Sequence, residues 1–306
     1  MKIIKTLFFL LLFSKAFSQI PFLQKQGSTT QLMVNGKPFL IRGGELGNST
    51  ATSTESMKEV WPKLKAMHLN TVLMPVYWEL IEPTEGKFEF GLYREMIDQA
   101  RKNHIKIVFL WFGSWKNSMS SHAPSWVKLN QEKYPLAKSE TGQSQEILSS
   151  FSEAVFEADK RAFEELMSFT KTYDSKENTV IMVQVENEIG MLPSARDHQE
   201  LANQAFKKEV PRELLTYLKT NKDKLVPEFA EIWKQNGYKT KGNWEEVFGK
   251  SLATDELFMA YFYSKFTNRI TEAGKAKYKL PMFVNAALNR AGKNPGEYPS
   301  AGPLPH

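Results

Sequence analysis

Hydrophobic residues are concentrated in five short runs, each of which ends abruptly in polar or aromatic residues. Nearly continuous apolarity indicates a strand that is buried on both faces, as in a parallel sheet covered by helices. We therefore predict a buried strand at each run. The runs cover residues 39–41, 71–77, 105–112, 180–185 and 281–284.

Between these runs, apolar residues recur three and four positions apart, which is the spacing of one face of an α-helix. The pattern predicts helices over residues 56–67, 92–102 and 154–172, with Ser53 or Thr54 capping the first of them. Residues 199–279 are predicted to be mostly helical, with Pro211 and Pro227 near helix starts. Strands that alternate with helices are typical of parallel βαβ units.

Two parallel architectures compete for this alternation. A doubly wound nucleotide-binding sheet requires a turn with Gly-x-Gly-x-x-Gly spacing after its first strand. Residues 42–47 read Arg-Gly-Gly-Glu-Leu-Gly, which lacks that spacing and places an acid where a phosphate would bind. Every strand instead ends in polar or aromatic residues, as in a TIM barrel, whose site is built at the carboxyl ends of its strands. The predicted fold class is therefore α/β, an incomplete (β/α)8 TIM barrel with about five of eight strands present.

Composition and charge exclude several kinds of site. The chain has 306 residues and no cysteine, which rules out thiol nucleophiles, cysteine–zinc sites and iron–sulfur clusters. Its five histidines show no metal-ligand spacing, so neither a metal nor a cofactor is predicted. The formal charge of +6 is scattered along the chain, which argues against a nucleic-acid partner.

The first 18 residues are typical of a signal peptide. Lys2 and Lys5 precede a short apolar segment, and Ala16-Phe17-Ser18 provides small residues for cleavage before Gln19. A membrane anchor is the competing interpretation, but the apolar segment is short for one that spans a bilayer. We predict a protein exported to the periplasm or the extracellular space, with residues 1–18 removed and no membrane anchor afterwards.

The fourth run ends in Glu186-Asn187-Glu188, an unusual concentration of polar groups after an apolar strand. A carboxyl in a partly apolar barrel mouth has a raised pKa, so it can donate a proton near neutral pH. That is what a general acid for a glycosidic oxygen requires, and an adjacent Asn can hold a sugar hydroxyl. The alternative is that these residues merely end the strand. Other strand ends of this kind in the same chain favour function.

Three stretches of the chain carry a family resemblance. Residues 184–190 read QVENEIG, residues 77–90 read YWELIEPTEGKFEF, and residues 123–126 read APSW. The first is similar to the QVENEYG signature of glycoside hydrolase family 35, the β-galactosidases of the clan A retaining glycosidases. The second resembles the W-x-x-x-E-P-x-x-G-x-F/Y-x-F segment of families 35 and 42. The third is similar to the LPAWL stretch that follows strand three in these enzymes.

The resemblance implies both a reaction and roles for residues. The Glu after Asn is the acid/base in this pattern, which implies that role for Glu188 and sugar-contacting or supporting roles for Asn187 and Glu186. The implied activity is removal of terminal β-galactosyl residues from oligo- or polysaccharides, by a double displacement with two carboxylates. The Cys-Ala-Glu contacts usual in family 35 are missing after the third run, so they are not transferred.

Further substrate contacts are predicted at the other strand ends. Trp78 and Trp115 are candidate platforms for sugar faces, although core packing competes with that role. Glu45 and Glu79 are candidates for binding hydroxyls or for pairing with a nearby Arg or Lys. Asn285, after the fifth run, is a candidate sugar contact.

A retaining glycosidase requires a second carboxylate roughly 5 Å from the acid/base. In the related clan it comes from strand seven, and Glu297, in a Gly/Pro-rich loop, is the only acid after the fifth run. We therefore expect residues 19–306 to be the N-terminal part of a catalytic barrel, truncated before its nucleophile and inactive alone. The rival functions are another clan A activity, such as a β-glucosidase or endo-β-glycanase, and a non-catalytic carbohydrate-binding barrel.

Overall fold

The computed structural model of the chain describes residues 19–287 and 292–298, so the predicted signal peptide, residues 1–18, lies outside the described residues. The strands are β1 (Phe22–Gln26), β2 (Thr29–Val34), β3 (Lys37–Pro38), β4 (Gly43–Glu45), β5 (Thr71–Tyr77), β6 (Lys106–Phe112), β7 (Leu136–Lys138), β8 (Ser144–Leu148), β9 (Val180–Val185) and β10 (Met282–Phe283). The α-helices are α1 (Thr54–Lys58), α2 (Val60–Ala66), α3 (Trp78–Ile81), α4 (Gly91–Lys102), α5 (Ser125–Lys128), α6 (Glu153–Asp174), α7 (Glu200–Phe206), α8 (Arg212–Thr220), α9 (Pro227–Gln235), α10 (Trp244–Phe248) and α11 (Leu252–Lys277). Short 3-10 helices lie at Thr50–Thr52 and Lys222–Lys224.

A parallel sheet of β4, β5, β6, β9 and β10 forms the centre of the molecule, with the strands adjacent in chain order. Helical segments connect successive strands. Parallel strands in sequential order with helical crossovers are the arrangement of a TIM barrel wall. The prediction of an α/β fold with five strands of an incomplete barrel is confirmed.

The first strand of this sheet lies later in the chain than its apolar run predicts. Residues 39–41 precede the strand, and Leu40 is 80% exposed. The pairing strand is β4, which aligns with Thr71–Leu73 of β5. A Cβ on Gly44 would lie 2.8 Å from Leu69 Cδ1, so the strand packs closely against the neighbouring turn at this glycine. The apolar run therefore predicted this strand too early in the chain, because β4 is defined by backbone pairing and small residues and not by hydrophobicity.

Two antiparallel elements have no counterpart in the predicted pattern. Strands β1, β2 and β3 form a small sheet before the barrel strands, and β7 pairs with β8 in a hairpin between β6 and α6. The Asn178 amide donates hydrogen bonds to Gln19 O (2.9 Å) and Asn35 Oδ1 (2.7 Å). These bonds tie the small sheet to the residues just before β9.

The predicted helices are present, with one interruption. The first predicted helix is divided into α1 and α2 at Glu59, and Ser53 caps α1 by accepting a hydrogen bond from the Ser56 amide. Helices α4 and α6 match their predicted spans closely, and Pro227 is the first residue of α9. Helix α11 packs against α6 so closely that a Cβ on Gly274 would lie 2.2 Å from a Phe163 ring carbon. This pair of helices supports the β6 and β9 region of the sheet.

Candidate active site

The carboxyl ends of the five parallel strands meet at one edge of the sheet, where the predicted site residues are found. The paired registers place Glu45 beside Leu73, Tyr77 beside Phe112, and Trp111 beside Val185. Residues that follow these positions therefore share the end of the barrel that carries the active site in this fold. The residues at this end are Glu45, Glu79, Ser114, Trp115, Glu186, Asn187, Glu188 and Asn285.

The backbone after β9 turns away from strand geometry at two glutamates. Glu186 has φ of 60° and Glu188 has φ of 45°, both in the left-handed region that few residues other than glycine adopt. Such positions cost energy and persist where the surroundings enforce them, often at functional sites. Ile189 then pairs with Ala286. The two turns bury Glu186 and Asn187 and leave Glu188 exposed, an outcome that simple alternation along a strand does not produce.

Glu188 is the exposed carboxylate of this strand end. Its carbonyl oxygen accepts a hydrogen bond from Ser118 Oγ at 3.0 Å, which ties it to the turn at residues 117–120. The side chain is therefore free to meet a ligand while its backbone is held. This is a suitable position for a group that exchanges protons with a substrate, and the catalytic role of Glu188 stays a prediction.

The Asn187 amide is 3% exposed and nearly saturated with hydrogen bonds. Its Oδ1 accepts from Gln184 Nε2 (2.8 Å) and Asn285 Nδ2 (2.9 Å), and its Nδ2 donates to Lys116 O (2.7 Å). An Asn side chain has two acceptor positions and two N–H donors, so one N–H remains for a substrate hydroxyl. Asn187 and Asn285 thus lie together across β9 and β10, and their contact with sugar stays a prediction.

Glu186 is 1% exposed, so its carboxyl lies inside the strand end and out of contact with solvent, and its role in the site stays a prediction. Its Oε2 accepts a hydrogen bond from the Trp115 amide at 2.8 Å. Burial raises the pKa of Glu186 well above its usual range, and the neighbouring Asp159 carboxyl adds to the effect. The raised pKa at this strand end therefore belongs to the buried Glu186, whereas the sequence predicted it for the general acid.

Asp159 of α6 is fully buried behind the end of β6. Its carboxyl accepts hydrogen bonds from Trp111 Nε1 (2.9 Å), the Ser114 amide (2.8 Å) and Ser114 Oγ (2.5 Å). Burial raises the pKa of Asp159, although these hydrogen bonds and one shared with Glu186 oppose that rise. A Cβ on Gly113 would lie 2.7 Å from both Asp159 oxygens, so only glycine fits between them and the strand end.

Trp78 is a core residue, and the prediction that it forms a sugar platform is wrong. The ring is fully buried, and its Nε1 donates to Glu82 Oε2 at 2.9 Å. Glu82 also accepts from the Gly86 amide (2.8 Å) and from Arg161 (3.0 Å). The W-x-x-x-E-P-x-x-G motif is therefore a structural loop closed on one buried carboxylate.

Trp115 is also buried, so its predicted role as a sugar platform is wrong. It is 0% exposed and packs edge-on against Tyr263 and Phe266 of α11. The sequence places it directly after β6, but a helix distant in the chain covers it. Its backbone amide, bonded to Glu186, is what it contributes to the site.

Glu79 and Glu45 lie at the same end of the sheet, but Glu79 is held by a hydrogen bond and Glu45 is exposed. Glu79 Oε1 lies 2.6 Å from His122 Nδ1, and this hydrogen bond lowers the pKa of Glu79. His122 stacks on Phe112 with ring centroids 5.8 Å apart. Glu45 is exposed at the end of β4. The partner of Glu79 is therefore His122, whereas the predicted alternative was an Arg or Lys, and both Glu79 and Glu45 stay predicted substrate contacts.

Sequence reasoning missed three residues that organise this site: Asp159, His122 and Ser118. A signal for Asp159 exists, because it occupies the apolar stripe of α6 between Phe156 and Phe163 at helical spacing. A carboxylate within an otherwise buried stripe is expected to have a specific partner. His122 and Ser118 lie in irregular segments, where spacing predicts no neighbour.

Comparison with known proteins adds family evidence to this geometry. The family model for the β-galactosidases of glycoside hydrolase family 42 matches residues 48–256, more than half of the chain. No curated protein matches the sequence. The predicted clan of retaining glycosidases is confirmed, and the matching family is 42, whereas family 35 is not supported.

Solved structures share the fold at low sequence identity. A β-galactosidase from the psychrophilic Marinomonas ef1 aligns with a TM-score of 0.54 and 14% identity over 80% of this chain and 37% of its own. A family 42 β-galactosidase from G. stearothermophilus aligns with a TM-score of 0.52 and 16% identity, over 82% of this chain and 36% of its own. A β-galactosidase from the haloarchaeon Halorubrum lacusprofundi aligns with a TM-score of 0.51 and 18% identity, over 80% of this chain and 36% of its own. The chain thus spans little more than a third of these structures. By the match to its family model, the chain belongs to the β-galactosidase family known as glycoside hydrolase family 42.

Proposed function

We propose that the full-length protein is a retaining glycoside hydrolase that removes β-galactosyl residues from oligo- or polysaccharides, with Glu188 as its acid/base. The observation that carries the proposal is the end of β9, where Glu188 is exposed while Glu186 and Asn187 beside it are buried and held by hydrogen bonds. A rigid support beneath one accessible carboxyl is what a positioned proton donor requires.

In the proposed reaction, Glu188 protonates the glycosidic oxygen as the bond to the leaving group breaks. A second carboxylate attacks the anomeric carbon, and Glu188 then takes a proton from the water that releases the sugar. Glu297 is unsuited to be that nucleophile. It is exposed on a turn, where the Asn294 amide donates to its Oε2 at 2.7 Å and lowers its pKa. We propose that the nucleophile lies outside residues 19–306.

Sugar hydroxyls have several proposed partners around Glu188. The ionised Glu79 carboxylate, held by His122, would accept hydrogen bonds from hydroxyls. Glu45 would do so from the same end of the sheet, on the edge strand β4. The remaining Asn187 N–H and the half-buried Asn285 amide would contact hydroxyls nearest the acid/base. A polar set of this kind suits an oligosaccharide substrate.

The burial of Trp78 and Trp115 weakens the alternative of a non-catalytic carbohydrate-binding barrel. That alternative depended on aromatic platforms, and neither ring is accessible. Another clan A activity, such as a β-glucosidase or endo-β-glycanase, uses the same two carboxylates. A panel of aryl β-glycosides measured with the full-length enzyme separates these activities by relative kcat/KM.

The test of the assignment is Glu188→Gln in the full-length enzyme, with Glu297→Gln as a matched control. The first variant should lose most kcat on substrates with poor leaving groups, because no proton reaches the glycosidic oxygen. Azide should restore turnover on activated substrates, because it replaces the water that the base would activate. The control should keep wild-type rates. Unchanged hydrolysis in Glu188→Gln would exclude Glu188 as the acid/base.

We also propose that the protein is exported and loses residues 1–18. The support is the basic start, the apolar segment and the small residues before Gln19. Among the described residues, no helix is sufficiently long and apolar to cross a bilayer. N-terminal sequencing of the protein recovered from the periplasm or medium should begin at Gln19. A mature protein that begins at Met1 would contradict the proposal.

A further inference from the structure

The buried carboxyls of Asp159 and Glu186 have acceptor positions that no donor fills. A carboxylate offers about four acceptor positions, and three on Asp159 are filled by Trp111 Nε1, Ser114 N and Ser114 Oγ. On Glu186, Oε2 accepts from the Trp115 amide, while Oε1 is buried and accepts from no donor. The consecutive amides of Ser114 and Trp115 donate to Asp159 and Glu186 respectively, both at 2.8 Å, so the two carboxyl groups lie side by side within hydrogen-bonding reach of each other.

No neighbouring cation compensates two negative charges here. In the ranges 19–287 and 292–298, neither carboxyl forms an ion pair with Lys, Arg or His. Tyr263 of α11, which packs on Trp115, adds no charge, because a phenol is neutral at neutral pH and burial raises its pKa further. Two buried carboxylates in contact, without a cation, are strongly unfavourable. One proton between them removes the repulsion and uses the open position on each group.

We propose that Asp159 and Glu186 hold a single proton at neutral pH, carried on Glu186 Oε1 and donated to Asp159, and that this pair positions the strand end that bears Asn187 and Glu188. Glu186 is the first residue after β9 and has a left-handed backbone conformation. Holding its side chain therefore fixes the direction in which the following residues leave the strand. Asp159 fixes the turn after β6 through Ser114. The positioning part rests on the proposed function, whereas the shared proton does not.

Asp159 and Glu186 are positioning residues in this proposal, because both are buried and act through Glu188. The arrangement differs from the aspartic dyad of proteases, in which the proton-sharing carboxyls face the substrate. Here the proton stays between two buried side chains that do not face the substrate. Gln at position 186 offers an N–H donor to Asp159 that does not titrate. Glu186→Gln therefore keeps the hydrogen bond between the two side chains while it removes the shared proton.

Infrared spectroscopy of the full-length protein in D2O at neutral pD tests the shared proton directly. The difference spectrum between the wild type and Glu186→Gln should show the loss of one protonated-carboxyl band. Glu188→Gln, altered two residues away at an exposed position, should retain that band even though its own carboxyl is gone. A difference spectrum in which Glu186→Gln removes no protonated-carboxyl band would overturn the proposal. This readout does not depend on turnover.

Kinetics test the positioning role. Glu186→Gln should keep most of the wild-type kcat and the shape of its pH profile, whereas Glu186→Ala should lose about 100-fold in kcat, as expected for a misplaced catalytic group. Equal losses in both variants would show that the Glu186 proton itself enters the reaction and would overturn the positioning role. So would full activity in Glu186→Ala. If Glu186→Ala does not fold, the infrared result and the pH profile of Glu186→Gln decide. If Glu188→Gln keeps full activity, the proposed acid/base fails while the infrared test of the pair stands.

Discussion

At the scale of single residues, the roles of Asp159 and Glu186 are not interchangeable, although both are buried carboxyls. Three donors point at Asp159, so its side chain must accept. Glu186 accepts one hydrogen bond and has one oxygen that receives none. An amide supplies a donor and an acceptor, and it can therefore replace the second residue better than the first.

We accordingly expect Asp159→Asn to destabilise the fold more than Glu186→Gln. The amide nitrogen of Asn would face donors, and each buried donor left without an acceptor costs about 1–3 kcal/mol. Urea denaturation of both variants at neutral pH measures the difference in the free energy of unfolding. Equal losses, or a greater loss in Glu186→Gln, would contradict the assignment of donor and acceptor.

The sequence identified the polar strand ends but not which of their side chains reach solvent. Glu186 and Glu188 have the same side-chain type and lie two positions apart, so strand alternation would place them on the same face. Left-handed backbone at both residues buries one and exposes the other. Trp78 and Trp115 were misassigned for a related reason. Their burial depends on Glu82, four residues on, and on α11, which is distant in the chain.

At the scale of elements, the loop after α3 is organised around Glu82. Removing its carboxylate by Glu82→Ala should leave the Trp78 indole N–H and the Gly86 amide without acceptors, and Arg161 without its partner. We expect a loss of roughly 2–5 kcal/mol in the free energy of unfolding, at 1–3 kcal/mol for each buried donor. Thermal or urea denaturation measures it.

Glu85→Ala is the matched control for this loop. Glu85 lies three residues away, its side chain is 48% exposed, and it pairs with Lys133 at the surface. Exposed pairs contribute about 0–1 kcal/mol, so this variant should remain close to the wild type. Similar losses in the two variants would show that Glu82 is not the centre of the loop.

Helix α11 adds a pH-dependent contact to the segment that follows β9. Asp255 pairs with Arg196 at 3.3 Å, yet burial raises the pKa of Asp255 from 3.8 to about 6. A carboxyl with a higher pKa in the folded state binds its proton more tightly there than in the unfolded state. Its contribution to stability is therefore greatest at low pH and declines as pH rises from 3.8 to about 6.

Asp255→Asn should remove that decline. The free energy of unfolding, measured from pH 3.5 to pH 7 for both proteins, should fall more steeply in the wild type between pH 3.8 and about 6. The difference between the two curves should amount to a few kcal/mol at most, because about 1.4 kcal/mol corresponds to one pKa unit. Parallel curves would show that Asp255 titrates at the same pH in both states.

Most elements were predictable from the chain, and the exceptions have physical causes. Helices α4 and α6 and strands β5, β6 and β9 have strong periodic or continuous apolar patterns, and tertiary packing agrees with them. Strand β4 is only Gly-Gly-Glu, and the hairpin strands β7 (Leu-Ala-Lys) and β8 (Ser-Gln-Glu-Ile-Leu) are each apolar over only two residues, so none of them has a continuous or alternating apolar pattern. In both, backbone pairing defines the strand.

At the scale of the whole molecule, the described sheet is an open part of a barrel. Strands β4 and β10 each pair on one side only within residues 19–287 and 292–298. A cavity of about 1070 Å³ lies between β10 and the helices from α8 to α11, lined by apolar side chains that include Phe229, Trp244 and Phe283. Open edges and an apolar cavity of this size favour further packing.

This geometry yields a prediction about activity. Double displacement requires two carboxylates roughly 5 Å apart, and Glu188 is the exposed carboxylate after β9, while Glu297 is held on a surface turn by the Asn294 amide. Residues 19–306 expressed alone should therefore hydrolyse no aryl β-galactoside and should bind an apolar dye at the open cavity. The full-length protein should hydrolyse the substrate and bind less dye. Turnover by residues 19–306 that is lost in Glu188→Gln would place the nucleophile inside this chain, with Glu79 and Glu45 as the carboxylates to replace next.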